Sequence, residues 1–588
     1  MTRDRYAMRS LTHLSLTLVG LMWVLPFLHY RHQYPLTTFD QEWWAVLLGV
    51  LALPLLVARS YWITPQIPRI VQLPAALILL VLLQAALGMM AYFDQALLYL
   101  LYLLFALLLM MLGARLRELI GLDRLAVVLA IFLLTGAELS ALIGVLQHYR
   151  WHTPFDAFVV MKVASGVYGN LAQPNHFANY IALGMISLGL LFVQRKLHTL
   201  YVVALALPLL FVMTLSGSRS SWFYLLVLCA LSVWSVWKDR QLRPLLYYSL
   251  LLLAGFSLMH GVVQLPFLKG AGSSYDIMQR MFADTSSGGI RMYLWHEAWL
   301  MFLQSPWLGV GFGQFAWQHL QLGPVLKNTH IVGLYNNAHN LVLQLAAEAG
   351  IAGISVLLGG LAAWLYGLRR VVMSVAHWWG YGLLCVLGIH SLLEYPLWYA
   401  YFLAVAAFLL GALDETYYRL ELRITGRVSV MVMVLLGFLS LLQLNSGYAQ
   451  LKETLTPSSG VSTMQRARDG LLAVHAGSLL SPYAELFMSN YVEVNKAQNK
   501  TKLALNSKVI RFVPIASVVY RQAFLLAGDG QLEAARQLMR QAIWSYPANA
   551  EAQRQLRSLS EKDPEHFAAL LEFALQTEQE YVSAVHNN

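Results

Sequence analysis

Long apolar runs alternate with short polar ones through most of this chain. The runs lie near residues 10–30, 43–59, 70–90, 95–113, 125–147, 171–193, 197–215, 220–237, 244–263, 340–367, 375–394, 397–413 and 428–445. A helix needs about 20 apolar residues to cross a bilayer, so the pattern predicts about 13 transmembrane helices. Between the ninth and tenth runs lies a long stretch rich in Gly and aromatics. After the last run the chain takes on the periodicity of soluble helices. The expected architecture is an all-α, polytopic helical membrane protein. It has an N-terminal bundle over 1–263, a large loop over 264–338, C-terminal transmembrane helices over 339–445 and a helical domain over 446–588.

The tail stretch YRQAFLLAGDGQLEAARQLMRQAIWSYP predicts a helix to Ala527 and a turn at Gly528-Asp529-Gly530. A second helix places Ala535 and Ala542 seven apart on one face and ends at Pro547. A hairpin packed through small residues resembles one tetratricopeptide unit, a module able to dock peptide or protein. An ordinary helical hairpin satisfies the same pattern.

Composition sharpens this picture. Of 588 residues, 58% are hydrophobic and 12% charged, and the mean hydropathy is +0.56. A soluble protein of this size needs more polar surface. Charge then orients the spans. With a cytoplasmic N-terminus, the inside segments hold eighteen Lys and Arg residues, whereas the short outside loops hold only Arg31, Arg150, Lys162 and Arg219. Cations gather on the cytoplasmic side, so the long loop and the tail belong outside. The net charge of +10 follows largely from that topology, and no nucleic-acid motif accompanies it. The basic start of the first run is like a signal peptide but lacks a small-residue cleavage site, so it reads as a retained helix. Cys229 and Cys385 fall inside spans and offer neither a disulfide framework nor a metal cluster.

Several outward segments carry unusual polar residues. In chain order they are YGNLAQPNHFANY (Gln173, Asn175, His176, Asn179), SGSRSSW (Arg219), SSGGIRMYLWHEAWL (Arg291) and PWLGVGFGQF. Then come NNAHN (Asn337, His339, Asn340) and HSLLEYPLWYAY (His390, Glu394, Tyr395). On a helix opening near His339, Asn340, Gln344 and Glu348 recur every four residues and form one stripe. Asn175 with Asn179, and His390 with Glu394, share that spacing. Lipid satisfies no such stripe, so these faces are expected to line a wet cavity opening outward.

Arginines supply planar donors for phosphate oxygens, and a histidine can take a hydroxyl proton near neutral pH. No carboxylate pair suits a glycosidase, and HExxH, P-loop and GxSxG motifs are absent from the sequence. GVGFG lacks a dinucleotide-site context and reads as loop punctuation. His296, Glu297 and the mid-span Glu138 read as structural residues, the last as one paired within the bundle.

AQPNHFANY, SGSRSSW, GGIRMYLWHEAW, PWLGVGFG, NNAHNLVLQLAAEAG and EYPLWY, in this order, resemble the bacterial O-antigen ligase and polymerase superfamily. Within it they are most similar to the PglL-type protein O-oligosaccharyltransferases. The resemblance implies a metal-independent glycosyltransferase of the bacterial inner membrane, multi-pass, with the loop and tail periplasmic. Its donor would be a preassembled glycan on undecaprenyl diphosphate, transferred en bloc to Ser or Thr of periplasmic acceptors such as pilin. Matched by motif, His339 takes the place of the family's essential loop histidine, and Gln173 and Tyr395 match other important positions. Arg219 and Arg291 match arginines proposed to engage the diphosphate, while Asn337 and Asn340 flank the histidine and are expected to help hold substrate. No cofactor, metal or nucleic acid is implied. A lipopolysaccharide O-antigen ligase or a glycan polymerase would use the same donor. Outside that class, a flippase would need polar groups on both faces. A bare scaffold would tolerate replacement of every outward polar residue.

Overall fold

The structure is a computed structural model describing residues 2–162, 166–270, 285–329, 331–456 and 463–587. Residues 271–284 of the long loop lie outside the described residues. Helices stand at each of the thirteen apolar runs, because a chain in hydrocarbon must pair its peptide groups internally. Numbered along the chain, the longer ones are α1 (Thr2–Met22), α2 (Phe39–Ala52), α3 (Gln72–Ala86), α4 (Phe93–Ile120), α5 (Leu122–Tyr149), α6 (Pro174–Val193), α7 (Thr199–Leu215), α8 (Ser220–Lys238) and α9 (Arg243–Val262). Within the long loop come α10 (Thr285–Gln304) and α11 (Phe315–Leu326). They are followed by α12 (Leu341–Gly367), α13 (Val375–Leu393), α14 (Ala400–Ala412) and α15 (Arg423–Leu455). The tail forms α16 (Thr463–Gly477), α17 (Ser481–Ser489), α18 (Asn499–Phe512), α19 (Ala516–Gly528), α20 (Leu532–Ser545), α21 (Ala550–Lys562) and α22 (Pro564–Asn587).

Among the described residues, 10 helical stretches are long and apolar enough to span a membrane. Two more of the thirteen, α7 and α14, are apolar but shorter, at 17 and 13 residues. The thirteenth, α13, has 19 residues, yet Trp, Gly and His lower its apolarity. It faces other helices more than lipid, so it can carry them: Trp378 and Trp379 are fully buried, their indoles donating to Ser232 Oγ at 2.8 Å and Ser187 Oγ at 3.1 Å. The protein is thus an all-α polytopic membrane protein. Among the described residues its sheet consists of two short antiparallel strands, Gln66–Pro68 and Tyr417–Arg419.

The chain divides into two compact units, each assembled from separated stretches. The first comprises 1–76, 101–285 and 357–441, and the second 77–100, 286–356 and 442–588. The core of the first is built around α6, whose apolar window is 89% buried. A Cβ on Gly184 would lie 2.2 Å from Ala137 Cβ, so α5 and α6 approach through small residues, as membrane helices do without a hydrophobic drive between them. Glu138 of α5 does not find the expected partner: its Oε1 is buried with no hydrogen bond among the described residues.

In the second unit, α18 to α22 share an apolar core that includes Val509, Val518, Phe524, Ala535, Ala542 and Leu570. The hairpin read from sequence is present as α19 and α20. Gly530 turns it at φ 80°, and Ala535 and Ala542 are both fully buried. Leu320 of the loop helix α11 belongs to that same core.

Candidate active site

In the first unit, Gln173 ends a tight turn in which Ala172 sits at φ 55°. Its side chain caps α6, the amide oxygen accepting from His176 N at 2.5 Å, and Pro174 starts the helix. This cap aims the next residue at two other polar segments. Asn175 Nδ2 donates to Glu394 Oε1 at 2.8 Å, and Ser218 Oγ donates to Asn175 Oδ1, also at 2.8 Å. The starts of α6 and α8 and the end of α13 are thereby tied by one partly buried polar bridge. Below it, the fully buried Asn179 donates to Val386 O, and Tyr224 OH bonds His390 Nδ1 at 2.9 Å. His176 stands edge-on to His390 and Tyr399, with ring centroids 5.2 and 5.1 Å away. The polar faces of α6 and α13 thus meet each other inside the bundle.

Arg219 follows Ser218 directly and is exposed at the N-terminus of α8. Gly217, at φ 67°, makes the turn, and Ser216 Oγ accepts from Ser218 N. The exposed guanidinium adds to the positive end of the helix dipole, a corner suited to an anion. A small open pocket beside it is lined by Ser218, Arg219, Trp222, Phe256 and His260. His260 stacks on Trp222 at 5.3 Å. Sequence reading missed this histidine because nothing near it breaks the apolar pattern of α9.

Tyr395 sits between α13 and α14, half-buried and stacked on Tyr399 at 5.8 Å. Burial pushes its phenol above the ordinary range, and the Glu394 carboxylate adds to that, against a hydrogen bond with Tyr399. Tyr395 therefore stays neutral and offers a donor.

The second unit holds the other candidates. Arg291 is half-buried on α10, one turn before Leu294 and on the helix face that also carries Ala298 and Met301. Those three share a small core with Ile331, Ala338 and Ala347. The segment from 331 to 340 thus packs against α10 and α12, and His339 lies at its end. His339 is half-buried at φ 54°, a left-handed conformation uncommon for a residue with a Cβ.

Three side chains fix that backbone. Asn337 Oδ1 accepts from His339 N at 2.8 Å, Gln344 Oε1 from Ala338 N at 2.7 Å, and Asn340 Oδ1 from Val342 N and Leu343 N at 3.1 Å each. Glu348 completes the stripe, its Oε1 accepting from Gly313 N at 3.1 Å and Phe315 N at 3.3 Å. For Gln344 and Glu348, both buried, the structure corrects the expectation of a stripe facing a wet cavity. Gln344 and Glu348 serve amides of the loop and of the start of α11, which otherwise cost free energy in apolar surroundings, whereas Asn340 caps the first turn of α12. The GVGFG stretch explains itself in the same place. Val310 N and Gly311 N donate to the carbonyls of Ala347 and Glu348, and a Cβ on Gly309 would lie 2.2 Å from the Glu348 carbonyl carbon. Only glycine permits this approach at φ 70°.

Among the described residues, one group could hold a metal by proximity: Asp563, Glu565 and His566 in the tail. Lys496 and His566 already pair with Asp563, which depresses its carboxyl below the usual range, and the group serves none of the candidates above.

Family models match three stretches of the chain. Residues 201–358 match "O-Antigen ligase", 378–560 match "Virulence factor membrane-bound polymerase, C-terminal" and 167–192 match "Protein glycosylation ligase". Two proteins of Acinetobacter baylyi are similar to it. A general O-oligosaccharyltransferase is 28% identical over 417 residues, spanning 68% of this chain and 69% of that protein. A ComP-specific O-oligosaccharyltransferase is 25% identical over 245 residues, spanning 41% and 43%. The chain is similar to the O-antigen ligase superfamily and, within it, to the PglL-type O-oligosaccharyltransferases. These similarities and the apolar helices support a glycosyl-transferring, multi-pass membrane enzyme. All six candidate motifs fall within the matched stretches. The structure divides them: Gln173, Arg219 and Tyr395 lie in the first unit, and Arg291, Asn337, His339 and Asn340 in the second.

Proposed function

We propose that this protein transfers a preassembled oligosaccharide en bloc from undecaprenyl diphosphate to Ser or Thr hydroxyls of a periplasmic acceptor, pilin-like in kind. It works in the bacterial inner membrane, with its N-terminus in the cytoplasm and the loop and tail in the periplasm; the basic bias of the short loops supports that orientation. The observation that carries the reading is the constraint on His339. Asn337, accepting from His339 N, and Gln344, accepting from the preceding Ala338 N, hold it in a left-handed backbone conformation, and strain kept in place by its surroundings concentrates at functional sites.

In the reaction, the acceptor oxygen attacks the anomeric carbon as the bond from that carbon to the diphosphate oxygen breaks. The hydroxyl proton passes to the His339 imidazole, and the electron pair leaves with the carrier diphosphate. A single displacement inverts the anomeric centre. Arg219 and Arg291 hold the diphosphate and stabilise the charge it gains, and the neutral Tyr395 phenol donates to the same group. Gln173 orients donor through the turn it caps, and Asn337 and Asn340, beside His339, help hold substrate. Cleavage of the sugar–diphosphate bond supplies the driving force, so no nucleotide takes part.

The test is transfer in vitro with purified protein, lipid-linked oligosaccharide and a pilin-like acceptor. Glycan on Ser or Thr of the acceptor supports the proposal, provided that His339→Ala, still present in membranes, loses about 100-fold or more of the rate. Glycan delivered to lipid A-core sugar, or lengthened on its carrier, would instead identify a ligase or a polymerase.

A further inference from the structure

The loop that ends in His339 is fastened at a point the proposed reaction does not use. His319 of α11 is buried between two acceptors. Its Nδ1 lies 2.7 Å from Glu297 Oε2 on α10, and its Nε2 lies 3.3 Å from the carbonyl of Gly333. Gly333 is bonded on its other side as well, its N–H donating to Ser545 O of tail helix α20 at 2.8 Å. Tyr335, two residues on, meets the His319 ring at 5.6 Å.

Helix α11 is itself held between two cores. Phe315 and Leu322 pack with Leu294, Ala338 and Ala347, whereas Leu320 and Trp317 pack into the core of the tail. At Gly323 the two helices touch closely, since a Cβ there would lie 3.2 Å from Ser545 Oγ.

We infer that the C-terminal helical domain is a positioning part of the catalytic machinery, clamping the 331–340 segment through α11, His319 and Gly333 so that His339 is presented correctly. The inference rests on His339 being the base. It differs from a docking role for the tail in one respect: a docking module matters only for acceptors large enough to reach it. A clamp matters for every acceptor, because it sets the geometry of the base. His319, Glu297 and Gly323 are positioning residues, since none is placed against the donor or the acceptor hydroxyl.

The experiment compares full-length Gly323→Leu, His319→Leu, Glu297→Ala and Glu297→Gln in detergent, with lipid-linked oligosaccharide as donor. Two acceptors are used, a short Ser/Thr peptide and a folded pilin-like protein. We expect Gly323→Leu, His319→Leu and Glu297→Ala to lower kcat up to about 100-fold with both acceptors, KM being unchanged, because a misplacement of ~1 Å costs that much. Glu297→Gln keeps an oxygen facing His319 Nδ1 and should recover most of the rate. Loss confined to KM for the folded acceptor would overturn the clamp in favour of docking. So would a Glu297→Gln rate as low as that of Glu297→Ala, a comparison that holds even where Gly323→Leu fails to fold. Full turnover in His339→Ala would instead remove the base assignment, a separate failure.

Discussion

Asn175 offers the sharpest test of how the first unit is built. Its amide is the middle of the Ser218–Asn175–Glu394 bridge, with both bonds at 2.8 Å. Glu394 is 4% exposed, so what its carboxylate loses inside the protein water does little to replace. Asn175→Ala removes one hydroxyl–amide bond and one bond to a charged group, together about 3 kcal/mol. Asn175→Asp should be worse. It sets a second carboxylate against the first, and like charges at ~4 Å repel by about 4 kcal/mol at an effective dielectric near 20.

The decisive comparison reverses the pair. Adding Glu394→Gln to Asn175→Asp makes the amide the donor and the new carboxylate the acceptor, for Ser218 Oγ as well, and should recover about 2 kcal/mol or more. Sign also matters. Falling pH lets the two carboxylates of Asn175→Asp share a proton, so its deficit against wild type should shrink from pH 8 to pH 5. The assay is the unfolding midpoint of each purified variant in detergent at the two pH values. Equal stability of Asn175→Asp and Asn175→Ala at pH 8, or no recovery in the double variant, would refute the bridge. Ser218 precedes Arg219 and Glu394 precedes Tyr395, so transfer rates should follow the same order.

Arg291→Lys keeps the charge and loses the planar fork, so transfer should fall about tenfold at saturating acceptor; unchanged kinetics would reduce Arg291 to a lipid-headgroup anchor. Tyr395→Phe should slow transfer by a factor that stays constant from pH 7 to about 9.5, because burial raises the pKa of this phenol and it remains protonated across that range. A factor that vanishes on the alkaline side would show the phenol ionising and the donor role to be wrong. Full activity is expected after metal stripping and in excess chelator, and a strict requirement for an added divalent ion would contradict the metal-free displacement.

What could be read from the sequence follows from how far each signal reaches. Apolar run lengths located the helices because the bilayer imposes a length on each span by itself. The tail hairpin was legible because Ala535, Ala542 and Gly530 act within one local unit. Spacing also placed Asn340, Gln344 and Glu348 on one face of α12, but a period names a face and not what lies opposite it. What lies opposite Gln344 and Glu348 is the backbone of Ala338, Gly313 and Phe315, whose amides donate to their oxygens, while Asn340 caps its own helix. The partnerships of Glu297 with His319, and of Gly333 with Ser545, join residues with no shared period, so no pattern along the chain announces them.

The same contrast explains the glycines around Gly309. Read along the chain they are punctuation; against α12 they are the condition for two backbones to touch, which frees Glu348 to cap amides instead of lining a cavity. The polar residues that looked most like substrate ligands are therefore mostly spent on holding irregular backbone. The guanidiniums, the phenol and the imidazole of His339 are the groups to which the proposed reaction assigns the substrate.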